Sequence, residues 1–188
     1  MARLIVFSGL PGVGKSTIAA ALAKQIGAIW LRVDSLNEVI IASGTVPPEL
    51  KIWTYGGAQA VAQDNLRLGY DVIADCVNEW NTMRESWQEA GTRAGAEVSF
   101  LEVECGDRNE HRARLDWRRT NHPHVCTPSW DEVENRPFER WNCPRVTVNT
   151  AGRSVAASVA ETMDLLGMRA ENHQPDPSPL ASPNTDCA

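Results

Sequence analysis

Several things are missing from this 188-residue chain, and each absence narrows what it is. The apolar run near the start is far too short to span a bilayer, and it lacks the charged start, long apolar core and cleavage site of a signal peptide. A cytoplasmic, non-membrane protein is the expectation. The five cysteines, at 76, 105, 126, 143 and 187, never fall at C-x-x-C spacing. They read as free thiols, mostly filling core, and not as a disulfide framework. Basic residues are outnumbered, 18 against 24, for a net charge of −6. That balance argues against sequence-independent binding to nucleic acid, which needs a basic face. No internal repeat is visible, and the length is that of one domain.

What the chain does have is Gly9-Leu10-Pro11-Gly12-Val13-Gly14-Lys15-Ser16-Thr17, a match to G-x-x-x-x-G-K-[ST]. The apolar run Leu4-Ile5-Val6-Phe7 precedes it, and strong helix formers from Ile18 to Gln25 follow. Strand, glycine loop and helix in that order are the context in which the pattern carries chemistry. Glycine at 9, 12 and 14 permits backbone conformations closed to other residues and removes side chains that would block a polyphosphate. The loop amides and the helix N-terminus then point at the anion. Lys15 is placed to reach the β- and γ-phosphates, and the Ser16 hydroxyl to complete the shell of Mg²⁺. A nucleoside triphosphate is the ligand this stretch predicts.

Downstream, Ile18, Leu22 and Ile26 make one helix stripe that Gly27 ends. Residues 28–33 read as a second strand that delivers Asp34 at its C-terminal end. Asp34 or Ser35 also suits an N-cap, with Glu38 at capping-box spacing from Ser35. Against the cap stands position, because ligands of open α/β sheets sit beyond the carboxyl ends of the strands. A loop at 44–48 leads to a helix over about 49–68, interrupted at Gly56-Gly57, in which Trp53 and Tyr55 are expected in the core, with the lining of a substrate cavity as the alternative. Residues 71–75 form a third strand ending in Asp75, where phosphate-loop enzymes place a carboxylate behind Mg²⁺. Asn78 is a candidate to reach substrate. A helix over 82–94 and a fourth strand over 97–104 complete an alternation that predicts a parallel sheet between helices.

The most basic stretch follows, with arginines at 108, 112, 114, 118 and 119 against Glu110 and Asp116. Arg114 and Arg118, four apart, share a helix face, and guanidinium groups suit phosphoryl oxygens in a transition state. The alternative is a solvated helix with pairs such as Arg112 to Asp116. Residues 120–128, broken by Pro123 and Pro128, read as a loop. His122, His124 and Cys126 have no second ligand cluster at structural-zinc spacing, so no zinc is expected. Ser129 with Glu132 predicts a capped helix, residues 145–149 a fifth strand, and Val155, Val159, Met163 and Leu166 a last helix. The proline-rich residues from about 171 onward predict a disordered tail.

Taken together, the Gly9–Thr17 loop, Val33-Asp34-Ser35-Leu36, the strand ending at Asp75 and the segment with Arg114 and Arg118 resemble an AAA-type group of small phosphate-loop kinases. That group includes chloramphenicol phosphotransferase, the zeta toxins and the kinase domain of polynucleotide kinase. The resemblance covers residues 1–168. It implies a three-layer fold with five parallel strands in order 2-3-1-4-5, and an arginine-rich lid over about 107–128. It also implies that Asp34 takes the proton of an acceptor hydroxyl, that Arg118 with Arg114 clamps the phosphates, and that ATP is the donor. Ser16-Thr17 differs from the Gly-Thr usual in nucleoside monophosphate kinases, and no N-K-x-D motif for guanine is present. The expected acceptor is a small molecule. A nucleic-acid 5′-hydroxyl, a sugar nucleotide, or no acceptor at all, as in a regulatory ATPase, are the alternatives.

Overall fold

The first strand sets the architecture. In a computed structural model that describes residues 1–44, 49–123, 125 and 127–168, strand β1 (Arg3–Ser8) carries Leu4, Val6, Ile5 and Phe7, all buried. Successive side chains on a strand point to opposite faces, so Leu4 and Val6 join one core cluster and Ile5 and Phe7 another. A strand buried on both faces requires a layer of helices on each side. Those layers come from the rest of the chain.

On one face lie α1 (Lys15–Ile26) and α7 (Val155–Leu165), which contribute Ile18, Leu22, Val159 and Met163 to the cluster with Ile5 and Phe7. On the other lie α3 (Leu50–Arg67) and α4 (Asn81–Arg93). There Tyr55, Ala58, Ala62, Leu66 and Trp87 pack with Leu4, Val6 and Phe100. Full burial of side chains of this size stabilises by about 1.5–3 kcal/mol each relative to exposure. The remaining strands are β2 (Ile29–Arg32), β3 (Val72–Asp75), β4 (Glu97–Glu104) and β5 (Val146–Asn149). All pairings are parallel, in the order β2-β3-β1-β4-β5. The expected three-layer α/β fold and its strand order are therefore present.

Three local expectations need correction. Helix α2 (Val33–Ala42) begins two residues before the expected cap, with Arg32 as N-cap and no side-chain cap. Glu38, read as the partner of Ser35, pairs instead with Arg32 at 2.9 Å. Asp34 therefore lies in the first turn of a helix and caps nothing. Gly56 and Gly57 do not interrupt α3. Trp53 is 65% exposed, because it sits off the stripe formed by Tyr55, Ala58, Ala62 and Leu66.

Helix α5 (Arg108–Asn121) holds the basic stretch and runs two residues into the expected loop. Asp107 caps it by accepting from the amides of Asn109 and Glu110. Ser129 and Glu132 form the expected capping box of α6 (Trp130–Glu134). His124, Cys126 and the tail from 169 lie outside the described residues. Among the described residues, no helix is long and apolar enough to cross a membrane.

Candidate functional site

The order of strands places five C-terminal ends along one edge, with the glycine loop at the centre. Its backbone is held from three directions. The Gly9 amide donates to the Val77 carbonyl beyond β3 at 3.1 Å. A Cβ on Gly9 would stand 2.2 Å from the Val103 carbonyl oxygen in β4. At Gly12, with φ of +87°, a Cβ would stand 2.7 Å from the Leu115 side chain in α5. Any side chain at these two positions would push the loop out of place, and at φ of +135° and +87° it would also strain the backbone.

Lys15 opens α1 and is buried. Its ammonium donates to the Leu10 carbonyl at 2.9 Å, so the side chain folds back over the loop. Burial lowers its pKa, an effect opposed by the carboxylates of Asp75 and Asp34 and reinforced by the charge of Arg118. Its one hydrogen bond is to the loop itself, and the charges of Asp75, Asp34 and Arg118 act on it through space.

Asp75 ends β3, fully covered. Burial raises its pKa, while Lys15, the Ser16 hydroxyl and the Trp30 indole favour its ionised form; the Trp30 Nε1 donates to it at 3.3 Å. A hydroxyl and a carboxylate offer the hard oxygen donors that Mg²⁺ takes together with phosphate oxygens and water. The residues present fit that ion.

On the β4–β5 side the arginines divide. Arg114 donates to the Thr150 hydroxyl at 2.8 Å and to its carbonyl at 3.0 Å, reaches the Val13 carbonyl at 3.4 Å and is paired with Glu110. Thr150 itself donates to the Val13 carbonyl at 2.8 Å. His111 contacts the Pro11 carbonyl oxygen at 2.7 Å. Arg118, one turn further along α5, has no hydrogen-bond or ion-pair partner for its guanidinium among the described residues. Arg112 makes the alternative pair with Asp116, at 3.9 Å and exposed.

Most of these groups line one cavity of about 990 Å³, whereas Asp75 is buried behind it and is not part of its lining. Lys15, Ser16, Asp34, Arg114 and Arg118 are among its walls, as are Trp30, Arg32, Glu38, Arg136 and Thr150, which sequence reasoning passed over. Thr150 was findable, since it follows the fifth strand as Asp34 follows the second. Asn78 sits beneath the site. It is fully buried at φ of +52°, and its amide nitrogen donates to Ser8 and Phe7. It does not line the cavity.

The fold recurs in solved structures. The APS kinase CysC of Mycobacterium tuberculosis, in complex with AMPPNP and APS, superposes with a TM-score of 0.67 at 16% identity, covering 88% of this chain and 98% of that one. A gluconokinase from Sinorhizobium meliloti 1021 gives 0.62 at 18% identity, covering 88% and 91%. Kti12 of Chaetomium thermophilum, in complex with ADP-AlF3, gives 0.58 at 19% identity, covering 87% and 97%. At these identities the likeness is one of fold, the fold of phosphate-loop kinases. Residues 4–140 match the AAA domain family AAA_33, and the chain belongs to that family.

Proposed function

We propose that this protein is an ATP-dependent phosphotransferase that moves the γ-phosphoryl group to a hydroxyl of a small molecule. The observation that carries the reading is that Lys15, Asp34 and Arg118 line one cavity, with Asp75 held by Trp30 of the same wall. A nucleotide switch needs the loop and a metal carboxylate; an additional carboxylate, Asp34, in the cavity wall suits an acceptor. The cavity of about 990 Å³ is at the upper end of small-molecule sites, roughly 300–1,000 Å³. It has room for both reactants.

In this reading the amides of Gly9–Thr17 and the Lys15 ammonium hold the β- and γ-phosphates. Ser16 and Asp75 hold Mg²⁺, which supplies charge neutralisation on the phosphate oxygens when bound. Asp34 accepts the proton of the acceptor hydroxyl as its oxygen approaches the γ-phosphorus in line. Arg118 closes over the γ-phosphate, and Arg114, tied to Thr150 and Val13, fixes the loop and the arginine helix to each other. Phosphoryl transfer asks the protein mostly for position and charge. Within its family we place the chain with the small-molecule kinases resembling chloramphenicol phosphotransferase and the zeta toxins, acting in the cytoplasm, where free thiols such as Cys76 stay reduced. The kinases among the structural neighbours, one of them complexed with AMPPNP and APS, support the class.

The test is incubation with γ-labelled ATP and a fractionated cell extract, with the labelled product identified by mass. Label in an organic phosphate ester is the expected result. Label released only as inorganic phosphate, in every fraction, would sink the proposal.

A further inference from the structure

Beyond the phosphate-binding groups, the cavity contains a cation that the transfer mechanism does not use. Arg136 lines it. Its Nη2 donates to the carboxylate of Glu79 at 3.1 Å, and among the described residues that is the one hydrogen bond of its guanidinium. Glu79 is 3% exposed and also pairs with Lys51. Burial pushes its pKa up, but Lys51 and Arg136 outweigh that and hold it below the ordinary carboxylate value. One carboxylate against two cations leaves a positive charge over. Lys51 does not line the cavity, so the surplus faces it through Arg136.

The chain just after Arg136 is anchored. Arg84, 0% exposed, donates to the carbonyls of Asn78 at 3.0 Å and Glu139 at 3.2 Å, and lies 4.0 Å from the Trp141 ring centroid and 5.1 Å from that of Phe138. The Glu139 amide donates to the Glu79 carbonyl at 2.8 Å. The segment carrying Arg136 is thereby bound to the turn after β3. That turn adjoins β2, whose end delivers Asp34, whereas Arg114 and Thr150 stand on the β4–β5 side. Arg32, the other arginine at the β2 end, is already matched by Glu38.

We infer that the acceptor carries an anionic group, a carboxylate or a phosphate, which the guanidinium of Arg136 binds while Asp34 receives its hydroxyl. This rests on the phosphotransferase reading. A planar guanidinium anchored on one edge offers its remaining N–H groups to two oxygens at once, and its pre-organisation reduces the entropy lost on binding.

The test separates the extract by ion exchange into anionic, neutral and cationic pools before γ-labelled ATP is added. The expected product arises from the anionic pool. Label in the neutral or cationic pool alone would leave the kinase reading standing and overturn this inference; label in no pool overturns both. With the acceptor identified, Arg136→Gln should raise its KM by about 30-fold, the scale of a lost charge-assisted contact, while the Kd for ATP is unchanged. Arg136→Lys should recover part of the loss. Lys51→Gln removes the other cation from Glu79 without touching the cavity, so it controls for a structural role. Equal acceptor KM values for Arg136→Gln and Lys51→Gln would contradict the assignment.

Discussion

The two flanks of the glycine loop are built in different ways. On the β4–β5 flank the loop carbonyls of Pro11 and Val13 are already engaged by His111, Arg114 and Thr150, and Leu115 closes against Gly12. On the β2–β3 flank the groups facing the cavity remain open to a ligand. Trp30 is 40% exposed, the side-chain oxygen of Asn37 is buried without a hydrogen-bond partner among the described residues, and Asp34 has a single long contact from Asn37 at 3.5 Å. On the first flank Arg118 alone stands without a hydrogen-bond or ion-pair partner among the described residues; on the second, Asp34 and Asn37 are left largely unsatisfied. A nucleotide is the same for many enzymes and is served by fixed backbone. An acceptor is particular, and side chains with unsatisfied valence select it.

The strongest way to break this comparison is Lys15→Ala, which should reduce transfer below detection in a coupled assay, because Lys15 is the loop's own cation, buried and folded back over it. Asp34→Asn acts on the open flank alone. It should lower kcat by a factor of hundreds, in the range for loss of a general base, with ATP affinity by calorimetry unchanged. Near-normal transfer by that variant would remove Asp34 from its role.

Smaller effects sharpen the contrast. Gly12→Ala meets both a φ of +87° and the Leu115 side chain at 2.7 Å, and should cost about 2–3 kcal/mol. A fall in melting temperature of roughly 5–10 °C would register it. Asn37→Ala, on the open flank, should leave the melting temperature nearly unchanged and raise the acceptor KM. The smallest effect has the opposite sign. Burial raises the folded-state pKa of Asp75, so the ionised carboxylate disfavours folding as pH rises through the ordinary carboxylate range. Asp75→Asn removes that cost and should raise the melting temperature of the nucleotide-free protein at neutral pH while impairing turnover. A lowered melting temperature would show that Lys15 over-compensates the charge.

The same contrast explains what could be read from the residues alone. The glycine loop, the strand ending at Asp75 and the Ser129–Glu132 capping box are local patterns, in which the residues that define the feature are neighbours in sequence. Position at the end of a strand sufficed to place Asp34 at the cavity wall. By contrast, Arg136 and Glu79 are 57 residues apart, and Thr150 reaches Val13 across 137. No spacing rule connects them, and only the strand order brings them together. The start of α2 was misplaced for a related reason. Glu38 had two candidate partners, Ser35 three residues before it and Arg32 six before it, and the charged pair prevailed over the capping box. Arg114 and Arg118 look alike in sequence, and differ because Thr150, Val13 and Glu110 engage only the first.

The central claim is that the γ-phosphoryl group goes to an acceptor positioned by Asp34 and not to water. The most direct test is the partition of γ-label between phosphate ester and inorganic phosphate, measured for the wild type and for Asp34→Asn with the acceptor pool present. The account predicts mostly ester for the wild type, and for the variant a loss of ester of several hundred-fold with ATP still bound. Inorganic phosphate as the main product of both, formed at equal rates with or without the pool, would contradict it and make the protein a hydrolase.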